Sequence, residues 1–141
     1  MTGNTLHYHY EISASDFTQA GVASGAVKQV LKKLGIDKDT VRKMSIALYE
    51  AEINMVIHGG GGSMDVDIDD SKITAVLTDQ GPGIEDVNLA MQEGWSTATE
   101  QVRNLGFGAG MGLPNMKKYS DELVVESALG EGTSVRITVY I

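Results

Sequence analysis

Leu6, Tyr8, Tyr10 and Ile12 alternate with His7, His9 and Glu11, the period of a strand that buries one face. Ser15 then reads as the N-cap of a helix, with Asp16 in its first turn. Ala20, Ala23, Val27, Val30, Leu31 and Leu34 recur at helical spacing, and Gly35 suits the C′ position. Asp37 caps a second helix that runs to about His58, with Val41, Met44, Leu48, Ala51 and Met55 as its core stripe. Gly59 to Gly62 end that helix as a pliant joint or a close approach. Met64, Val66 and Ile68 alternate with Asp65, Asp67 and Asp69, a strand with an acidic outer face. Asp69-Asp70-Ser71 makes a hairpin turn, and Ile73 to Thr78 return as the next strand. Between Gly81 and Gly112 no apolar period is sustained, which suggests a long functional lid. A short helix over Leu113–Tyr119 and strands over Leu123–Ser127 and Val135–Ile141 close the chain. The order β-α-α-β-β-lid-α-β-β implies a two-layer α/β sandwich with helices on one face of the sheet.

Composition narrows the function. A length of 141 residues suits a single domain spanning 1–141. The absence of cysteine removes disulfides, thiolate metal sites and a cysteine nucleophile. No apolar run approaches the ~20 residues of a membrane span, so the expected location is the cytoplasm. The net charge of −8 sits wholly in residues 61–141, where 13 acidic groups face 5 basic ones. A nucleic-acid surface carries the opposite sign. A phosphate bound in this half must rely on backbone N–H groups, a few local cations or a metal ion.

Four segments carry candidate chemistry, and each has a plainer reading. Ala47, Glu50, Asn54 and His58 stack on one face of the second helix, apart from its core stripe. That face is either solvated, or it offers Asn54 as an oxygen ligand for Mg²⁺ and Glu50 as a base near a phosphate. Asp79-Gln80-Gly81-Pro82-Gly83 follows a strand. It is either a turn, or a buried carboxylate that accepts from an exocyclic amine while glycines approach a flat ring. Gly106, Gly108, Gly110 and Gly112 alternate immediately before a helix, offering converging N–H groups. A dinucleotide fold would want such glycines directly after a strand in a β-α-β unit, which this chain lacks. Gly130-Glu131-Gly132-Thr133 is a β-turn, or it brings a threonine hydroxyl to a ring nitrogen. His7 and His9 share a strand face and read as solvated, with no third metal ligand nearby.

Taken in order, Glu50-xxx-Asn54, Asp79-x-Gly81-x-Gly83, Gly108-x-Gly110-x-Gly112 and Gly132-Thr133 resemble the N, G1, G2 and terminal boxes of the GHKL ATP-binding superfamily. Nearly the whole chain takes part in the resemblance. Met91 to Thr97 and Leu105 to Lys117 look more closely like the small anti-sigma-factor serine kinases, and most like their stressosome switch-kinase branch. The resemblance implies the Bergerat fold, a mixed and mainly antiparallel sheet. It also implies ATP and Mg²⁺ as cofactors. Asn54 becomes the Mg²⁺ ligand and Glu50 the catalytic base. Asp79 reads the adenine amine, with Gly81 and Gly83 at the ring and Thr133 near it. Gly106, Gly108, Gly110 and Gly112 cradle the phosphates. The implied partner is a STAS-domain anti-sigma antagonist, phosphorylated on serine, with a sigma factor or other downstream regulator as a second partner and a homodimer as an allowed state. One departure stands out. Many such kinases carry an arginine on the first helix, whereas Ser15 to Leu31 hold one basic residue, Lys28. The alternative function is an ATP-gated binding protein without useful catalysis, whose lid around Trp95 orders on the nucleotide.

Overall fold

The computed structural model describes residues 5–13, 21–58, 61–79, 112–128 and 132–141. Strand β1 (Leu6–Ser13) is followed by helices α1 (Val22–Lys33) and α2 (Lys38–His58). Strands β2 (Gly61–Ile68) and β3 (Lys72–Asp79) come next, then helix α3 (Gly112–Tyr119) and strands β4 (Glu122–Ala128) and β5 (Gly132–Tyr140). The strands form one sheet in the order β1-β2-β3-β5-β4. All four pairings are antiparallel, so among the described residues the expected mixed sheet is antiparallel throughout.

Strand alternation divides the sheet into two faces. Tyr8 and Tyr10 pair with Val66 and Met64, and with Ile73, Ala75, Leu77, Val135, Ile137 and Val139 they turn toward the helices. His7, His9 and Glu11 lie opposite Asp67, Asp65 and Ser63 on the other face. The whole expected stripe of α2 (Val41, Met44, Leu48, Ala51, Met55) is buried, together with Ala47, Ile53 and Val56. Helix α2 is therefore enclosed on several sides, packing on α1, α3 and the sheet. Met116 seats α3 in the same core.

Local signals act where the sequence places them. Asp37 Oδ2 accepts from the Asp39 N–H at 3.0 Å and opens α2. Gly35, at φ +75°, closes α1 while Ile36 N–H donates to the Leu31 carbonyl. Asp69 Oδ1 accepts from the backbone N–H groups of Ser71 and Lys72 in the β2–β3 turn. Those bonds hold its carboxyl below the usual range.

Three boundaries differ from expectation by more than one residue. Helix α1 begins at Val22, after Gly21 in the left-handed conformation, so the helix does not run back through residue 21. The expected Ser15–Asp16 cap lies outside the described residues. Gly61 and Gly62 belong to β2 rather than to a joint, pairing with Ser13 and Ile12. A Cβ on Gly62 would overlap the Thr78 carbonyl oxygen, so the close approach is the reason for glycine there. Strand β5 starts at Gly132, which brings Thr133 into the sheet.

Candidate functional site

Helix α2 carries Glu50 and Asn54 one turn apart, both half-buried beside fully buried Ala47. Partial burial raises the Glu50 carboxyl pKa above its ordinary value. A hydrogen bond from Asn115 Nδ2 to Glu50 Oε1, at 3.3 Å, acts in the opposite direction. Asn115 belongs to α3, so two helices 65 positions apart in sequence meet at this carboxyl.

Asp79 ends β3 and is 8% exposed. Its Oδ1 accepts from the Thr133 backbone N–H at 3.1 Å. The register explains the meeting: Thr78 pairs with Ser134, so the next positions along the two antiparallel strands are Asp79 and Thr133. The candidate adenine carboxylate and the candidate terminal-box threonine are thus brought together. On its other side Asp79 pairs with Gly62 of β2.

Gly112 begins α3, at the end where a helix presents free N–H groups. Gly81, Gly83, Gly106, Gly108, Gly110 and the expected lid with Trp95 lie outside the described residues, as does the C-terminal turn over Gly130-Glu131. Among the described residues, no group of three or more His, Asp or Glu side chains could hold a metal ion. A single amide oxygen on α2 suits Mg²⁺, which takes one or two protein oxygens and completes its shell from phosphates and water.

Sequence reasoning missed two members of this region. Asn115 lay within the stretch that carried the resemblance but was given no role, and the packing of α3 on α2 gives it its partner Glu50. Glu52 was given no role, yet it is 2% exposed and accepts from the backbone N–H groups of Gly21, Ala23 and Ser24 at 2.9, 3.3 and 2.8 Å. It caps α1 from α2. No sequence signal marks it, because its partners are backbone groups about 30 positions away.

A family model described as the histidine kinase-like ATPase domain matches residues 13–139. An anti-sigma F factor of Thermoanaerobacter sp. (strain X514) is 40% identical over 108 residues, covering 73% of this chain and 72% of that one. The serine/threonine-protein kinase RsbT of Bacillus subtilis (strain 168) is 31% identical over 118 residues, covering 81% of this chain and 83% of that one. The crystal structure of the RsbU and RsbW domains of a Mycobacterium tuberculosis protein shares the fold, with a TM-score of 0.65 at 17% identity. The match covers 95% of this chain and 32% of that one.

Proposed function

Because the chain belongs to the histidine kinase-like ATPase domain family and is a protein serine kinase of the anti-sigma-factor type, we propose that its substrate is a STAS-domain antagonist in a partner-switching module. The family implies ATP as the phosphoryl donor. The observation that carries the reading is Glu50. It is a half-buried carboxyl of raised pKa on the same helix face as Asn54, tied to the helix that begins at Gly112.

The settings of Glu50, Asp79 and Asn54 support a role for each, and the roles of the glycines rest on the family resemblance. Glu50 accepts the serine hydroxyl proton as the oxygen attacks the γ-phosphorus, and the bond to the β-phosphate oxygen breaks to release ADP. Asp79, anchored by the Thr133 N–H, is the acceptor for the adenine amine. Gly81 and Gly83 flank the ring, and Gly106, Gly108, Gly110 and Gly112 cradle the phosphates. Asn54 would hold Mg²⁺, which when bound neutralises charge on the phosphate oxygens.

The test is capture of partners from native lysate on the wild-type protein with and without Mg·ATP, followed by identification of phosphoserine on the captured protein. A STAS-domain protein that gains phosphoserine with wild type, and not with Glu50→Gln, is the expected result. Asn54→Ala should abolish the Mg²⁺ dependence of nucleotide affinity. Phosphorylation by Glu50→Gln at the wild-type rate would remove the base role. ATP-dependent capture without phosphoserine would favour a gated binder instead.

A further inference from the structure

The Glu50–Asn115 hydrogen bond crosses from the helix that carries the proposed base to the helix that follows the proposed phosphate glycines. Its two ends are fixed independently. Glu50 sits between buried Leu48 and buried Ala51 and Glu52, so the α2 backbone there cannot shift without disturbing the core. Asn115 precedes Met116, which is fully buried, and the far end of α3 is closed by Ser120 Oγ donating to the Met116 carbonyl. The amide therefore meets the carboxyl from a rigid mount on each side.

We propose that Asn115 is a positioning residue for Glu50: its amide engages Oε1 and favours the ionised carboxyl, leaving Oε2 for the acceptor hydroxyl. The inference deepens the proposed kinase reading and rests on it. An amide is well suited to the task. It donates to the charged form of the carboxyl, favouring ionisation, yet it has no proton of its own to exchange at working pH. It offsets part of what burial does to Glu50. Several charged side chains on the packed elements are engaged elsewhere. Glu52 caps α1, Lys43 pairs with Asp121, Arg42 and Lys118 lie over the Tyr119 ring, and Asp79 holds the Thr133 N–H. Lys117 is exposed. Among the described residues, the Asn115 amide is the side-chain donor found on Glu50, and it acts against the effect of burial.

The experiment compares wild type, Asn115→Ala, Asn115→Asp and Asn115→Gln. One readout is Glu50 titration, followed by carbon NMR of its carboxyl. The other is the pH profile of phosphate release from Mg·ATP, with water in place of the serine hydroxyl. Asn115→Ala should move the Glu50 titration and the acid limb of the profile to higher pH. The rate at the acid end should fall roughly threefold to tenfold, the worth of one ordinary hydrogen bond. Asn115→Asp should move both further, since a second carboxyl disfavours the first. Asn115→Gln should restore part of the wild-type profile, and ATP affinity should stay within about twofold throughout. An unmoved Glu50 titration in Asn115→Ala, or a pH-independent rate loss matched by lost ATP affinity, would overturn the proposal. A titration that moves while the rate profile does not would leave the contact intact and refute Glu50 as the base.

Discussion

Asp79 is a carboxyl at the end of a strand, almost removed from water, and such a group needs donors. One is the Thr133 N–H; the proposal supplies another, the adenine amine. Substitution by asparagine separates the two demands. Asparagine retains an acceptor oxygen for the Thr133 N–H, so the β3–β5 contact survives. Its amide group then competes for the position facing the amine. Asp79→Asn should therefore weaken ATP by roughly tenfold to a hundredfold, the ~1–3 kcal/mol of a lost specific hydrogen bond, with little change in the urea midpoint. Calorimetry that finds ATP and GTP bound equally by wild type would sink the assignment. Its place at the end of an apolar strand was legible in advance, from the alternation of β3 and the spaced glycines that follow it, with a turn as the plainer reading. Its contact with Thr133 was not legible, because it depends on the register of two strands more than 50 positions apart.

At the scale of elements, α2 is joined to α1 by a side chain that serves its neighbour's backbone. Helix α1 has no cap of its own: Gly21 stands at its N-cap with φ +93° and no side-chain bond. Glu52 takes over from α2, placing a carboxylate against the positive end of the α1 dipole and engaging three N–H groups. The face of α2 that bears Glu50 and Asn54 was legible from spacing, and so was its core stripe. The cap was not, since a glutamate in mid-helix ordinarily reads as solvated. Glu52→Ala should lower the unfolding free energy by about 2–3 kcal/mol in urea titrations, because buried N–H groups lose a charged acceptor. Glu52→Gln, which keeps one acceptor oxygen, should cost less. A loss below about 0.5 kcal/mol for the alanine variant would mean that water replaces the cap without penalty.

On the scale of the whole molecule, the order of elements was readable from periodicity, while the insertion of β5 between β3 and β4 was not, because that is a choice of pairing. The same pairing gives the outer face of the sheet a property no single segment predicts. Strand β1 comes from the half of the chain with no net charge, and it lays His7 and His9 across from Asp67 and Asp65 of the acidic half. His7 Nδ1 lies 2.7 Å from Asp67 Oδ1, and His9 contacts Asp65 at 2.7 Å and Glu11 at 2.8 Å. The histidines are solvated, as their strand position implied, but they are paired. Hydrogen bonds donated by the protonated rings raise both pKa values: to Asp67 for His7, and to Glu11 and then Asp65 for His9. A raised folded pKa means that the folded chain holds these protons more tightly than the unfolded chain does. The added stability is fully present below the ordinary histidine value of about 6.5 and is lost as pH rises through the raised values. Asp69 and Asp121 have lowered pKa values, so their contribution disappears only in acid, well below this window. The double variant His7→Gln, His9→Gln should therefore melt below wild type by the widest margin near about pH 5.5, and the gap should narrow by about pH 8.5. Because the pairs are exposed, roughly 0.5 M salt should shrink the gap at the lower pH. A gap that is constant with pH, or wider at the alkaline end, would show that the pairing contributes nothing through proton binding.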